Sequence, residues 1–177
     1  MEPIHIRATE HTPKVVINSD NIYEGITIEI SGESVPEDTR KFYAPVFNWL
    51  ESLKSNLGDE KYATGKGITI ILNFRMKYFN SSSAKIFIML METLSELKIK
   101  YSEMGTTINW LYNDEDVRES GEEFKSLVAV PFNVIQNHLL IKGSKNSPEI
   151  IISPEKNFLK YQANLSLKIP VNFTLQY

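Results

Sequence analysis

Ile68-Thr69-Ile70-Ile71-Leu72-Asn73-Phe74, continuing through Arg75-Met76-Lys77-Tyr78-Phe79 into Asn80-Ser81-Ser82-Ser83-Ala84-Lys85, is the stretch whose reading decides the fold. Its first half is β-branched and aromatic, and nearly apolar on both faces. That composition marks a central strand in a sheet. Asn80 and three serines then interrupt the strand pattern. Beyond them Ile86, Leu90, Leu94 and Leu97 recur at helical spacing, and Phe87 and Met91 widen the stripe. The pattern predicts a helix over about Ser82 to Tyr101, with Gly105 as the stop signal.

Upstream, Val15-Val16-Ile17 follows Pro13 and reads as a short strand. Ile26, Ile28 and Ile30 alternate with Thr27 and Glu29, a period of two with one face buried. Asp20 to Gly25 would join the two strands as a hairpin, and Gly32 would end the second. Ser34 is then a helix cap, with Pro36 in the first turn and Glu37 and Asp38 complementing the helix dipole. Phe42, Val46, Trp49, Leu50 and Leu53 extend that helix from about Pro36 to Leu57, with Pro45 as an internal blemish. Gly58 to Gly67 is a polar connection. Downstream, Thr107 to Tyr112 is a strand, Asp114 to Leu127 is acidic and then mildly helical, and Val130-Pro131-Phe132 opens a last strand region with Val134 and Ile135.

The order is hairpin, helix, strand, helix, strand, helix, strand. Such alternation predicts an α/β layer, with a mixed sheet because the first pair is antiparallel. The domain should end near residue 137. Residues 138–177 read as a β-rich C-terminal extension. Ser147 to Ser153 echoes Thr12 to Asn18, so the extension resembles a partial repeat of the opening hairpin; coincidence between two Pro-led hairpins explains the echo equally well. An isolated hairpin is marginal in water, so the extension must find a sheet edge or a partner chain, which makes oligomerisation through it an expectation.

Composition bounds the chemistry. The chain has 177 residues, 42% hydrophobic and 23% charged, with a net charge of −3. No basic field recruits nucleic acid or an anionic membrane. The absence of cysteine removes disulfides, thiolate metal ligands and a thiol nucleophile, and suits a cytoplasmic home. Met1 to His5 carries no visible signal peptide, and the apolar run Ile86 to Met91 is far too short to span a bilayer. His5, His11 and His138 lie far apart, without ligand-spaced neighbours. The acidic run Asp114-Glu115-Asp116 lacks the spacing of a calcium loop and reads as a solvated helix start. Gly65-Lys66-Gly67 precedes a strand, so it is no phosphate-cradling loop. Trp49 and Trp110 belong to the core. Nothing assembles a nucleophile, a base and an oxyanion site, so the chain is expected to be no enzyme and to need no cofactor or metal.

The turn from Tyr78 to Lys85 remains. One residue suffices to cap a helix, and Asn80 or Ser81 would do so. Three consecutive hydroxyls exceed that need. A phosphoryl group there would bring nearly two negative charges to the positive end of a helix, with Lys85 one turn on. Spacing alone leaves capping and phosphorylation equally open.

Several segments resemble the SiaC family of bacterial regulatory phosphoproteins. They are Pro3-Ile4-His5-Ile6 with Thr9 and Thr12-Pro13, Ile28 to Asp38, Tyr78 to Lys85, Asn109-Trp110-Leu111-Tyr112, and Pro131-Phe132. The resemblance spans about residues 1 to 137, in order. It implies a STAS-like fold, similar to anti-sigma factor antagonists, with a phosphorylatable hydroxyl at this strand-to-helix turn. It also implies partner switching: a Ser/Thr protein kinase adds the phosphate, a PP2C-type phosphatase removes it, and the unphosphorylated form activates a diguanylate cyclase, promoting biofilm through c-di-GMP. The family's modified residue directly follows the Asn and is often Thr. Here it is Ser81, with Ser82 and Ser83 as alternative acceptors and Asn80 shaping the turn. Tyr78, Phe79, Asn80 and Lys85 are the implied partner contacts. Val35 replaces a family aromatic, and the extension departs from the pattern. Two further readings compete: a STAS-like anion- or nucleotide-binding module, and an adaptor docking through its β-rich tail.

Overall fold

The computed structural model describes residues 1–19, 25–58 and 65–137. The extension at 138–177, His138 and the centre of the proposed hairpin turn lie outside the described residues. Among the described residues six strands and three helices follow in the order β1 (Ile4–Ile6), β2 (Lys14–Asn18), β3 (Ile26–Ser34), α1 (Thr39–Leu57), β4 (Thr69–Phe79), α2 (Ser81–Lys100), β5 (Gly105–Tyr112), α3 (Glu115–Lys125) and β6 (Phe132–Gln136). They form one mixed sheet in simple sequence order. β1, β2 and β3 pair antiparallel, and β3 through β6 pair parallel. The expected mixed sheet with flanking helices is therefore the architecture found.

Parallel neighbours in sequence order require a crossover each time, and all such crossovers take the same hand. The three helices consequently lie on one side of the sheet. Register shows the division. The row Ile17, Ile28, Leu72, Ile108 and Phe132 points to the helices, as does Val15, Ile30, Phe74 and Trp110. The helices return Tyr43, Val46, Leu50 and Leu53 from α1, Phe87, Leu90, Met91 and Leu94 from α2, and Val117 and Phe124 from α3. Each large side chain buried there contributes about 1.5–3 kcal/mol. The opposite face carries a row that is polar except at Val16: His5, Val16, Glu29, Asn73, Asn109 and Asn133. Its asparagines bond in series, Asn133 Nδ2 to Asn109 Oδ1 and Asn109 Nδ2 to Asn73 Oδ1, each at 2.9 Å.

Three local expectations are corrected. β1 is a strand that the sequence pattern did not reveal. β3 does not end at Gly32 but continues to Ser34. The register shifts there: Gly32 faces Met76 and Glu33 faces Tyr78, so Lys77 is passed over as a bulge. Gly32 supplies the φ of +105° that the irregularity uses, a conformation costly for any residue with a Cβ. Because β3 is longer, Ser34 does not cap α1. Asp38 does, accepting from Lys41 N at 2.9 Å. α1 runs through Pro45, which withholds one helix N–H without ending the helix. Among the described residues no helix is long and apolar enough to cross a membrane.

Candidate functional site

β4 delivers the chain to the carboxyl end of the sheet, and α2 begins one residue later. Asn80 has extended dihedrals, and its side chain accepts from Ser83 N at 2.9 Å. The Ala84 amide bonds to the Asn80 carbonyl at 2.9 Å. The amides of Ser81 and Ser82 precede the first intrahelical bond and have no acceptor among the described residues. No acidic residue occupies the first turn. Two free N–H groups and an uncompensated dipole end therefore meet at the Ser81 and Ser82 side chains, both exposed.

Ser83 has a different environment. It is fully buried, and its Oγ donates to the Ser34 carbonyl at 2.8 Å. Ser34 Oγ in turn donates to Ser83 Oγ at 2.8 Å, and a third contact, also 2.8 Å, joins Ser34 Oγ to Tyr43 Oη. Each serine has one proton and both are committed, so Tyr43 is the donor in the last contact. Burial pushes the Tyr43 phenol well above its ordinary pKa, against a smaller opposing effect of the Ser34 bond. The proton that closes the network thus stays in place at any physiological pH. The Ser34 carbonyl also accepts from Asn80 N at 3.2 Å. The end of β3, α1 and the first turn of α2 are tied together beneath the exposed serines. Of the three serines expected as acceptors, Ser83 alone turns its oxygen to the core, while Ser81 and Ser82 are exposed.

The implied partner contacts separate in the same way. Phe79 packs inward, with ring centroids 5.4 Å from Phe87, 5.7 Å from Trp110 and 6.0 Å from Phe124. It anchors the turn and offers little surface. Tyr78 is 59% exposed and Lys85 is also exposed. Met89, one turn beyond Lys85 on α2, is 49% exposed, a large apolar side chain that sequence reading missed. Its position four residues after Lys85 was the available signal. Asp114, read as part of a solvated run, caps α3 by accepting from Val117 N at 3.0 Å. Among the described residues no cluster of His, Asp or Glu is arranged to hold a metal.

The profile described as SiaC family regulatory phosphoprotein matches residues 6–137. The chain belongs to the SiaC family. Similar solved structures are apo-SiaC from Pseudomonas aeruginosa, at 24% identity and a TM-score of 0.61, covering 77% of this chain and 100% of that one. A second structure of SiaC from that organism has 25% identity, the same TM-score and the same coverage. The structure of the diguanylate cyclase SiaD in complex with its activator SiaC, also from P. aeruginosa, matches at 27% identity and a TM-score of 0.60, covering 76% of this chain and 99% of that one. No curated protein matches the chain.

As a SiaC family member the chain is a regulatory protein of signal transduction, and the match ends at the last described residue. Replacement of the turn-shaping Asn80 by Ala should lower stability by about 1 kcal/mol, the usual value of an N-cap side chain. Urea unfolding checks this. A change of less than a few tenths would mean that Asn80 serves a partner and not the helix.

Proposed function

We propose that this chain is a non-enzymatic, cytoplasmic partner-switching regulator controlled by reversible phosphorylation of Ser81, and that its target is a diguanylate cyclase. The observation that carries the reading is the contrast within the serine run: Ser81 is exposed at the first position of α2, while Ser83 is sealed. A phosphate on Ser81 would add nearly two negative charges beside free amides, with Lys85 on the next turn of the same helix face. Family membership supports a phosphoprotein, and the SiaC–SiaD complex supports the class of target. The proposed partners are a Ser/Thr protein kinase, a PP2C-type phosphatase and the cyclase, with c-di-GMP and biofilm formation as output. ATP and Mg²⁺ belong to the kinase. Ser82 remains a secondary acceptor, being exposed one residue on.

The surface that meets the partner would combine Tyr78, Lys85 and Met89 around the phosphate position. A new dianion within such a patch disfavours any partner that accepts it only when neutral. Intact-mass and peptide mass spectrometry on protein from its native cells, with and without phosphatase treatment, should place one phosphate on Ser81. Ser81→Ala should remove it and hold the chain in its unphosphorylated partner state. Ser81→Asp should weaken cyclase binding by at least about tenfold, or 1.4 kcal/mol, less than true phosphorylation because its charge is smaller. If both variants keep every partner affinity of the wild type, Ser81 is not the switch.

A further inference from the structure

The face of the sheet opposite the three described helices carries a second place with unspent charge. Lys14 on β2 pairs in register with Ser31 on β3, and Ser31 with Arg75 on β4. Lys77, the bulge residue, lies two positions beyond Arg75. Together with Asn113 after β5 and Asn137 after β6, these residues line a concavity of about 380 Å³. The Asn137 amide bonds to the Tyr112 carbonyl at 2.7 Å, which fixes the far wall. The concavity lies toward the carboxyl ends of the parallel strands. Its size falls within the range of small-molecule sites.

Three cations line this concavity, and Glu29 lies against one of them, Lys14. Glu29 holds Lys14 at 3.6 Å and accepts from Ser31 Oγ at 3.3 Å. Arg75 and Lys77 form no ion pair among the described residues. Arg75 Nε is buried and has no hydrogen-bond partner. A guanidinium N–H withdrawn from water and left unpaired is unfavourable, so the Arg75 side chain gains from a rearrangement that brings its N–H groups to an acceptor, which an oxyanion in the concavity would supply. A guanidinium beside two ammonium groups suits a multiply charged oxyanion with several acceptor oxygens better than a single carboxylate. The amides of Asn113 and Asn137 offer both donors and acceptors to whatever the anion carries.

We propose that this concavity binds a phosphate-bearing small molecule, with its oxyanion held by Arg75, Lys77 and Lys14. The site is separate from Ser81 and lies on the other face of the sheet, so it gives the regulator a second input that requires no kinase. The test uses the unphosphorylated full chain without kinase or cyclase, so its outcome is independent of the Ser81 reading. Inorganic phosphate, pyrophosphate and GMP are titrated by calorimetry and by amide chemical shifts. At least one should bind in the micromolar to millimolar range and shift the amides of Arg75, Lys77 and Asn113. Equal affinity for pyrophosphate and GMP would identify the oxyanion alone as the ligand; tighter GMP binding would add the nucleoside. Lys77→Gln alters an exposed bulge residue and should fold normally, and it should weaken binding by about tenfold, as should Arg75→Gln. Lys41→Gln, an exposed cation on α1, should change nothing. Absence of binding by all three anions overturns the proposal. So do shifts confined to Ser81 and Ser82, or equal losses in Lys41→Gln and Lys77→Gln.

Discussion

Ser83→Asp lowers the midpoint of thermal unfolding by more than about 10 °C, whereas Ser81→Asp leaves it within a few degrees of the wild type. The two positions are two residues apart in a run of serines, yet they face different media. At position 83 the carboxylate would replace a hydroxyl with no exposed surface. It would face the Ser34 carbonyl, which presents a lone pair and no proton, where the wild-type hydroxyl donates at 2.8 Å. An unpaired buried charge of this kind costs about 3–5 kcal/mol. Ser83→Ala is milder, at about 1–3 kcal/mol, because it leaves the Ser34 hydroxyl without its acceptor but introduces no charge. Position 81 is exposed at a helix N-terminus, where a negative side chain is mildly favourable. A Ser83→Asp protein as stable as the wild type would mean that the buried hydroxyl network does not hold the turn. It would also return Ser83 to the candidate acceptors.

Gly121→Ala destabilises the protein by about 1–3 kcal/mol, opposite in sign to the usual effect of that substitution in a helix. Alanine ordinarily gains about 0.5–1 kcal/mol over glycine there, because glycine loses more backbone entropy on folding. At this position a Cβ would lie 2.3 Å from Cδ1 and 2.8 Å from Nε1 of Trp110. The indole cannot retreat. It is fully buried, and Phe74, Phe79 and Phe124 pack around it at centroid distances of 5.2, 5.7 and 5.1 Å. Its Nε1 also donates to the Val117 carbonyl of α3 at 2.7 Å, so helix and ring are held at contact. Urea unfolding with an unchanged m-value measures the loss. A gain in stability would show that α3 can move off the ring. Since Phe79 leans on the same indole, such movement would reach the Ser81 turn as well.

The parts of the fold legible in the sequence were those with many repeats of one period. α2 declared itself through Ile86, Leu90, Leu94 and Leu97, and β4 through a long β-branched run. β1 did not, because three residues cannot establish an alternation. The start of α1 was misplaced because Ser34 and Asp38 are both good caps. The choice between them rests on Ser34 finding Tyr43 and Ser83, the latter 49 residues away, and no local rule contains that contact. The exposure of Ser81 followed from its place at a turn. The burial of Ser83 was also within reach: one turn back from Ile86 and Phe87 falls on Ser83, so the apolar stripe of α2 begins there. The cluster of Lys14, Ser31, Arg75 and Lys77 was not, since it needs the register of three strands before any two of its members meet.

The bulge at Lys77 gives β4 one residue more than plain alternation needs. Met76 and Phe79 both pack toward the helices although they are three apart, which an unbroken strand would forbid. A chain lacking Lys77 would restore plain alternation with Met76 and Phe79 two apart and both still toward the helices, so Asn80 and the start of α2 would keep their footing. Loss of a second residue would turn Phe79 out of the aromatic cluster. The turn thus tolerates the removal of one residue ahead of it but not of two, a parity rule for deletions in this strand.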